Sequence, residues 1–71
     1  MELSARNQIR GTVTAVTLGA VMAEVTVDIG NGQTLTAAIT RNSVERMNLS
    51  EGDDVVVIIK ATEVMVGKPT G

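Results

Sequence analysis

Between Ala20 and Ile39, apolar and polar residues alternate with a period of two, and no other feature of the chain restricts its fold so strongly. Val21, Ala23, Val25, Val27 and Ile29 are interleaved with Met22, Glu24, Thr26 and Asp28. That is the pattern of a strand with one face in a core and the other in water. Gly30-Asn31-Gly32 follows, and Asn-Gly supplies the positive φ angles of a tight hairpin turn. Alternation then resumes, with Leu35, Ala37 and Ile39 inward and Thr34, Thr36, Ala38 and Thr40 outward. The segment is a β-hairpin.

The remaining elements arrange themselves around it. The Thr/Val-rich stretch from Ile9 to Leu18 reads as a first strand, closed by a turn at Gly19. Gly11 within it marks a bulge or the close approach of another backbone. Asn42-Ser43-Val44-Glu45 resembles a capping box and predicts one or two helical turns with Asn42 as N-cap. Ser50-Glu51-Gly52-Asp53 is a polar turn, and Val55-Val56-Val57-Ile58-Ile59 is a strand apolar on both faces. Glu63-Val64-Met65-Val66 reads as a last short strand before a loose tail, Gly67 to Gly71. This order predicts an all-β fold, a small five-stranded OB-like barrel with one short helix, forming a single domain over residues 1–71.

A chain of 71 residues buries about 60% of the surface its unfolded form exposes, so its core alone is marginal. The chain has no Cys and no His, which removes disulfides and nearly all zinc chemistry as reinforcement. Subunit contacts are the remaining means, and they would also cover the second face of Val55–Ile59. Without Phe, Tyr or Trp and with a net charge of −2, the chain lacks both the stacking surfaces and the basic face of a nucleic-acid binder. No run approaches the roughly 18 apolar residues of a membrane span, and Met1 to Arg6 lacks the pattern of a signal peptide. These features give the expectation of a cytoplasmic protein.

The same inventory argues against an enzyme, since the usual nucleophile–base pairs need His or Cys. Asp53 and Asp54 read as solvated turn carboxylates, and the glycines match neither a P-loop nor a dinucleotide fingerprint. Two clusters stand out. Ser4-Ala5-Arg6-Asn7-Gln8 is dense in hydrogen-bond donors just before the first strand, and Lys60-Ala61-Thr62 follows the most apolar strand. An ammonium at the end of such a strand calls for a partner, and a bound anion is one. Hydroxyls, backbone N–H groups and cations together can surround a tetrahedral oxyanion. Equally, the first cluster could be an ordinary polar lead-in and Lys60 could reach solvent from a strand end.

Those two clusters carry a family resemblance. Leu3-Ser4-Ala5-Arg6-Asn7-Gln8 with Arg10-Gly11-Thr12-Val13 resembles the opening of the molbindin (Mop) family. Gly19-Ala20-Val21-Met22-Ala23-Glu24-Val25 resembles its second-strand motif, and Ile39-Thr40, Ser43-Val44 and Leu49-Ser50-Glu51-Gly52 its middle. Ile59-Lys60-Ala61-Thr62-Glu63-Val64-Met65-Val66-Gly67 resembles its ending. The resemblance implies an OB-like (TOBE-like) barrel that binds molybdate or tungstate, with no covalent cofactor and no directly ligated metal cation. It further implies a homohexamer, a trimer of dimers, with oxyanions held between subunits. Ser4, Ala5 and Arg6 would form one side of that site and Lys60, Ala61 and Thr62 the other, with Thr40 an additional hydroxyl. Arg6 and Lys60 would supply charge, Ser4 and Thr62 hydroxyls, and Ala5 and Ala61 backbone N–H groups. A second type of site would lie around Gly19, Ala20 and Val21. There the chain departs from the family, which often carries Asn where Met22 stands, and a thioether donates no hydrogen bond.

The reading that follows is oxyanion binding for storage and homeostasis. Three alternatives remain at this point: an excised regulatory domain of a molybdate-responsive regulator or transporter ATPase, an OB-like interaction module, and a purely structural oligomer with vestigial sites.

Overall fold

The computed structural model describes residues 1–70. Four antiparallel strands form one sheet in the order β3-β2-β1-β4: β1 (Asn7–Leu18), β2 (Met22–Gly30), β3 (Gln33–Thr40) and β4 (Asp54–Ile59). A seven-residue helix, α1 (Arg41–Met47), joins β3 to the loop before β4. The sheet curls until its two edge strands, β3 and β4, line a common cleft of about 320 Å³. The result is a half-barrel.

The central hairpin forms as its alternation requires. Asn31 and Gly32 both have positive φ, at 54° and 72°, which matches the right-handed twist of the flanking strands. Asp28 accepts the Gly30 N–H at 2.8 Å and fixes the start of the turn. Val13, Ala23, Val25, Val27 and Val44 make the core, packed against Val16, Ile29, Ile39, Leu49, Val55 and Val57. Val21 does not take the inward place its parity suggests. It lies in the β1–β2 turn before β2 begins, and it is exposed.

Two further expectations are corrected. The helix is capped by Thr40 and not by Asn42: the Thr40 hydroxyl accepts the Ser43 N–H at 3.1 Å. Glu45 does not close a capping box: with Thr40 as N-cap the residue three positions on is Ser43, and Glu45 instead pairs with Arg41 at 3.0 Å. The fifth strand expected over Glu63–Val66 is absent among the described residues. Ala61–Glu63 form a single 3-10 turn, and Val64–Val66 continue without a β partner. Both edges of β1 are already taken by β2 and β4, so this segment would have to reach the outer edge of β3 or β4 to enter the sheet. Its departure from the body shows in the radius of gyration, 13.3 Å, where a compact chain of this length would have about 11 Å. The expected tail runs on to Gly71, which lies outside the described residues.

Gly11 proves to be a close approach. A Cβ there would lie 2.5 Å from Val27 Cγ1 and 2.6 Å from the Asp28 carbonyl oxygen, inside the β1–β2 ladder. The bulge falls just beyond it, between Val13 and Ala15. Asp28 is main chain of a paired strand and cannot yield as a side chain end can. Gly11→Ala should therefore cost about 2 kcal/mol, typical of overpacking, read as a lowered urea midpoint with an unchanged slope.

Candidate functional site

The two donor clusters come together because of how β1 and β4 pair. The strands run antiparallel with Asn7 opposite Ile59, Gln8 opposite Ile58 and Ile9 opposite Val57. The ladder thus delivers Ser4–Arg6, just before β1, and Lys60–Thr62, just after β4, to the same end of the sheet. The structure shows the consequence directly. Ser4, Ala5, Arg6, Ile58, Lys60, Ala61 and Thr62 line one open groove of about 520 Å³. Six of these seven are the residues expected from sequence; Ile58, the apolar floor, is the addition. Both clusters meet within a single chain, with no interface needed to join them.

Local structure explains the shape of the groove. The β1–β4 ladder ends at Asn7 and Ile59, and the Asn7 side-chain amide donates to the Ile59 carbonyl at 3.2 Å, clamping the last rung. Beyond it the backbone turns: Gln8 Nε2 donates to the Ala5 carbonyl at 2.8 Å on one lip. On the other, the Glu63 N–H donates to the Lys60 carbonyl at 2.9 Å as the 3-10 turn begins. Neither Arg6 nor Lys60 is in an ion pair, and the pair formed among the described residues is Arg41–Glu45. Two of the chain's six cationic side chains thus line one groove whose lining includes no carboxylate. Small side chains at Ala5 and Ala61 leave the main chain accessible. The groove therefore offers two cations, two hydroxyls and exposed peptide groups over an apolar floor. Its chemistry is that of an anion acceptor.

The other expected residues are elsewhere. Thr40 does not line this groove. It pairs with Met22 at the far end of the β2–β3 ladder, and its hydroxyl is engaged with Ser43, at 2.7 Å from Ser43 Oγ. Gly19, Ala20 and Val21 form the β1–β2 turn beside it. There the Arg41 N–H donates to the Val21 carbonyl at 2.8 Å, and the Arg41 guanidinium reaches the Gly19 carbonyl at 3.4 Å. Arg41 is a cation at this second locus that the sequence reading missed. Its position directly after Thr40 and four residues before Glu45 was the available signal.

Comparison with known proteins identifies the family. The model of the TOBE domain family matches residues 3–66. The chain belongs to that family. It is 42% identical over 66 residues to molybdenum-pterin-binding protein 3 of Clostridium pasteurianum, covering 93% of this chain and 97% of that one. Among solved structures it resembles a molybdate-binding protein from Sporomusa ovata, with a TM-score of 0.89 at 43% identity, covering 96% of this chain and all of the other. It also resembles the cytoplasmic molybdate-binding protein ModG in a molybdate-bound form, with a TM-score of 0.90 at 39% identity. In that case it covers 97% of this chain and 49% of ModG. For this TOBE domain the N-cap supplies a direct test of the local account at Thr40. Thr40→Ala should cost about 1 kcal/mol in chemical denaturation, and Thr40→Ser should retain most of it.

Proposed function

We propose that this TOBE domain binds molybdate or tungstate as free oxyanions in the groove between Ser4–Arg6 and Lys60–Thr62, for storage and homeostasis in the cytoplasm. The observation that carries the reading is the unpaired placement of Arg6 and Lys60 at the two lips of one groove, with Ser4 and Thr62 hydroxyls beside them. A tetrahedral dianion meets two positive charges and a ring of donors there. The relatives bind molybdate or a molybdenum–pterin, and the chemistry here favours the oxyanion. A pterin ring calls for an aromatic face to stack on, and the chain has no Phe, Tyr or Trp. The relatives are binding proteins, and binding rather than catalysis is the function proposed here.

Self-association completes the reading. In one chain the groove is open, and ion pairing in water is worth about 1 kcal/mol at 4 Å against about 4 kcal/mol where the surroundings are partly desolvated. A second copy closing over the groove would supply that desolvation. Val64, Met65 and Val66 give the means: Met65 and Val66 are 93% and 94% exposed, directly after the site, and the β3 and β4 edges are unpaired on their outer sides. The segment that finds no place in its own sheet pairs with the sheet of a neighbour, in a homohexamer built as a trimer of dimers. In that assembly Thr40 and the Gly19–Val21 turn, remote from the groove in one chain, come to it or form a second site from adjacent copies. A second reading has one observation in its favour. The chain covers only 49% of ModG, so the same unit also serves as part of a longer binding protein.

Titration calorimetry of protein stripped of oxyanions tests the main reading. Molybdate should bind tightly and sulfate at equal concentration should give no heat. Arg6→Ala and Lys60→Ala should each weaken molybdate by at least about tenfold, as expected for the loss of a charge-assisted contact. Equal heats for both anions would leave only the fold in common with the relatives. Assembly has its own test: a chain ending at Glu63 keeps every groove residue, and light scattering should find it shifted from hexamer towards monomer.

A further inference from the structure

Two residues of the donor-rich opening, Asn7 and Gln8, take no part in the groove lining, yet both spend their side-chain amides on main-chain carbonyls at its edge. Asn7 clamps the last rung of the ladder through the Ile59 carbonyl. Gln8 does something different. Its Nε2 reaches back three residues to the Ala5 carbonyl, at 2.8 Å, across a segment with no β partner of its own. Gln8 stands opposite Ile58, the groove floor, so it is anchored to the ladder while it holds the lip.

The peptide unit it holds is the one between Ala5 and Arg6. A trans peptide is planar, and its C=O and N–H point in opposite directions. Fixing the Ala5 carbonyl toward Gln8 therefore fixes the Arg6 N–H away from Gln8. It also keeps an electronegative oxygen from turning to face a bound anion. Among the described residues no other hydrogen bond holds this peptide. Ala5 and Arg6 both line the groove, so the orientation of this unit decides whether the lip offers a donor or an acceptor.

We propose that Gln8 is a positioning residue of the anion groove: by holding the Ala5 carbonyl it commits the Ala5–Arg6 peptide to the donor orientation. This rests on the oxyanion reading above. Without the Gln8 amide the peptide is free to rotate, and binding must first select the productive orientation from the mixture, which lowers apparent affinity by the fraction populated. Gln8 is exposed and its loss leaves the core untouched.

The test uses the full chain and molybdate itself. Gln8→Met keeps length and removes the donor. It should weaken molybdate by about threefold to tenfold, the range of one net hydrogen bond, with the melting temperature of the unliganded protein unchanged. In the wild type the Arg6 amide resonance should shift on adding molybdate, and in Gln8→Met that shift should shrink. Gln8→Lys restores a donor of similar reach and should recover affinity at both low and high salt, whereas a gain from added charge alone fades as salt screens it. Unchanged affinity in Gln8→Met, or recovery by Gln8→Lys at low salt only, overturns the positioning role while leaving the oxyanion reading intact. A wild-type protein that does not bind molybdate overturns the oxyanion reading, and the positioning role with it.

Discussion

The pairing of β1 with β4 is the constraint on which the rest of this molecule depends. It joins residues 52 apart in sequence, Asn7 and Ile59, and it does so at the last rung of a six-pair ladder. A slip of one residue would turn Val55 and Val57 from the core to solvent and expose the opposite face of the strand. The register is therefore fixed by burial, far from the groove. The same register brings Ser4–Arg6 and Lys60–Thr62 to one end of the sheet, where they line one groove. Placement of the charges is thus a by-product of core packing, and the site inherits the rigidity of the sheet without being part of it.

The turn before β4 shows how this register is held from its other end. The Gly52 N–H donates to the Val13 carbonyl at 2.8 Å, and the Val13 N–H donates to the Asp53 carbonyl at 2.9 Å. Val13 is the most deeply buried residue of the core, 1% exposed. Asp53, which the sequence suggests is simply solvated, accepts the Ser50 N–H at 2.9 Å and shapes the turn. The polar turn, the core and the ladder are one continuous unit. That continuity matters in a chain whose fully buried core consists of four valines and one alanine, with no aromatic ring to add area.

What the sequence made legible follows from the range of each interaction. The β2–β3 hairpin was readable because alternation and turn chemistry are local and agree with each other. The helix was readable, but its cap was not. Thr40 and Asn42 are both good N-cap types, and in the structure Thr40 takes the cap while Asn42 lies within the first turn of the helix. Val64–Val66 carries a strand-like pattern, but the chain leaves β4 through the 3-10 turn Ala61–Glu63 and the segment joins neither free edge of the sheet, a tertiary outcome that residue order does not reveal. For the groove, composition and spacing led only to two separate donor clusters. Family resemblance named their residues as two sides of one site, and only the antiparallel register explains why they meet inside one chain. For Arg41 the spacing to Glu45 was legible, but its reach to the Gly19 and Val21 carbonyls was not, because main-chain partners leave no mark in the sequence.

A chain of net charge −2 appears at first an unsuitable receptor for a dianion. The objection weakens once distance is considered, because salt screens exposed charges beyond about 8 Å under physiological conditions. Asp28 and Asp54 both flank Thr12 in the sheet, several rungs from the Asn7–Ile59 end. Glu24, opposite Ala38, lies on the pairing that faces away from β4. The charged residues of the groove lining itself are Arg6 and Lys60, with Glu63 one residue beyond Thr62. The negative remainder then has a use of its own: it keeps a small protein with several exposed apolar side chains soluble and discourages indiscriminate association. Copies that associate through their apolar segments must overcome that repulsion, and a groove closed over an anion with its two cations reduces the exposed charge that opposes closure. On the proposed reading, ligand and assembly would favour each other by linkage, since an anion held more tightly in a closed form would stabilise that form by the same free energy.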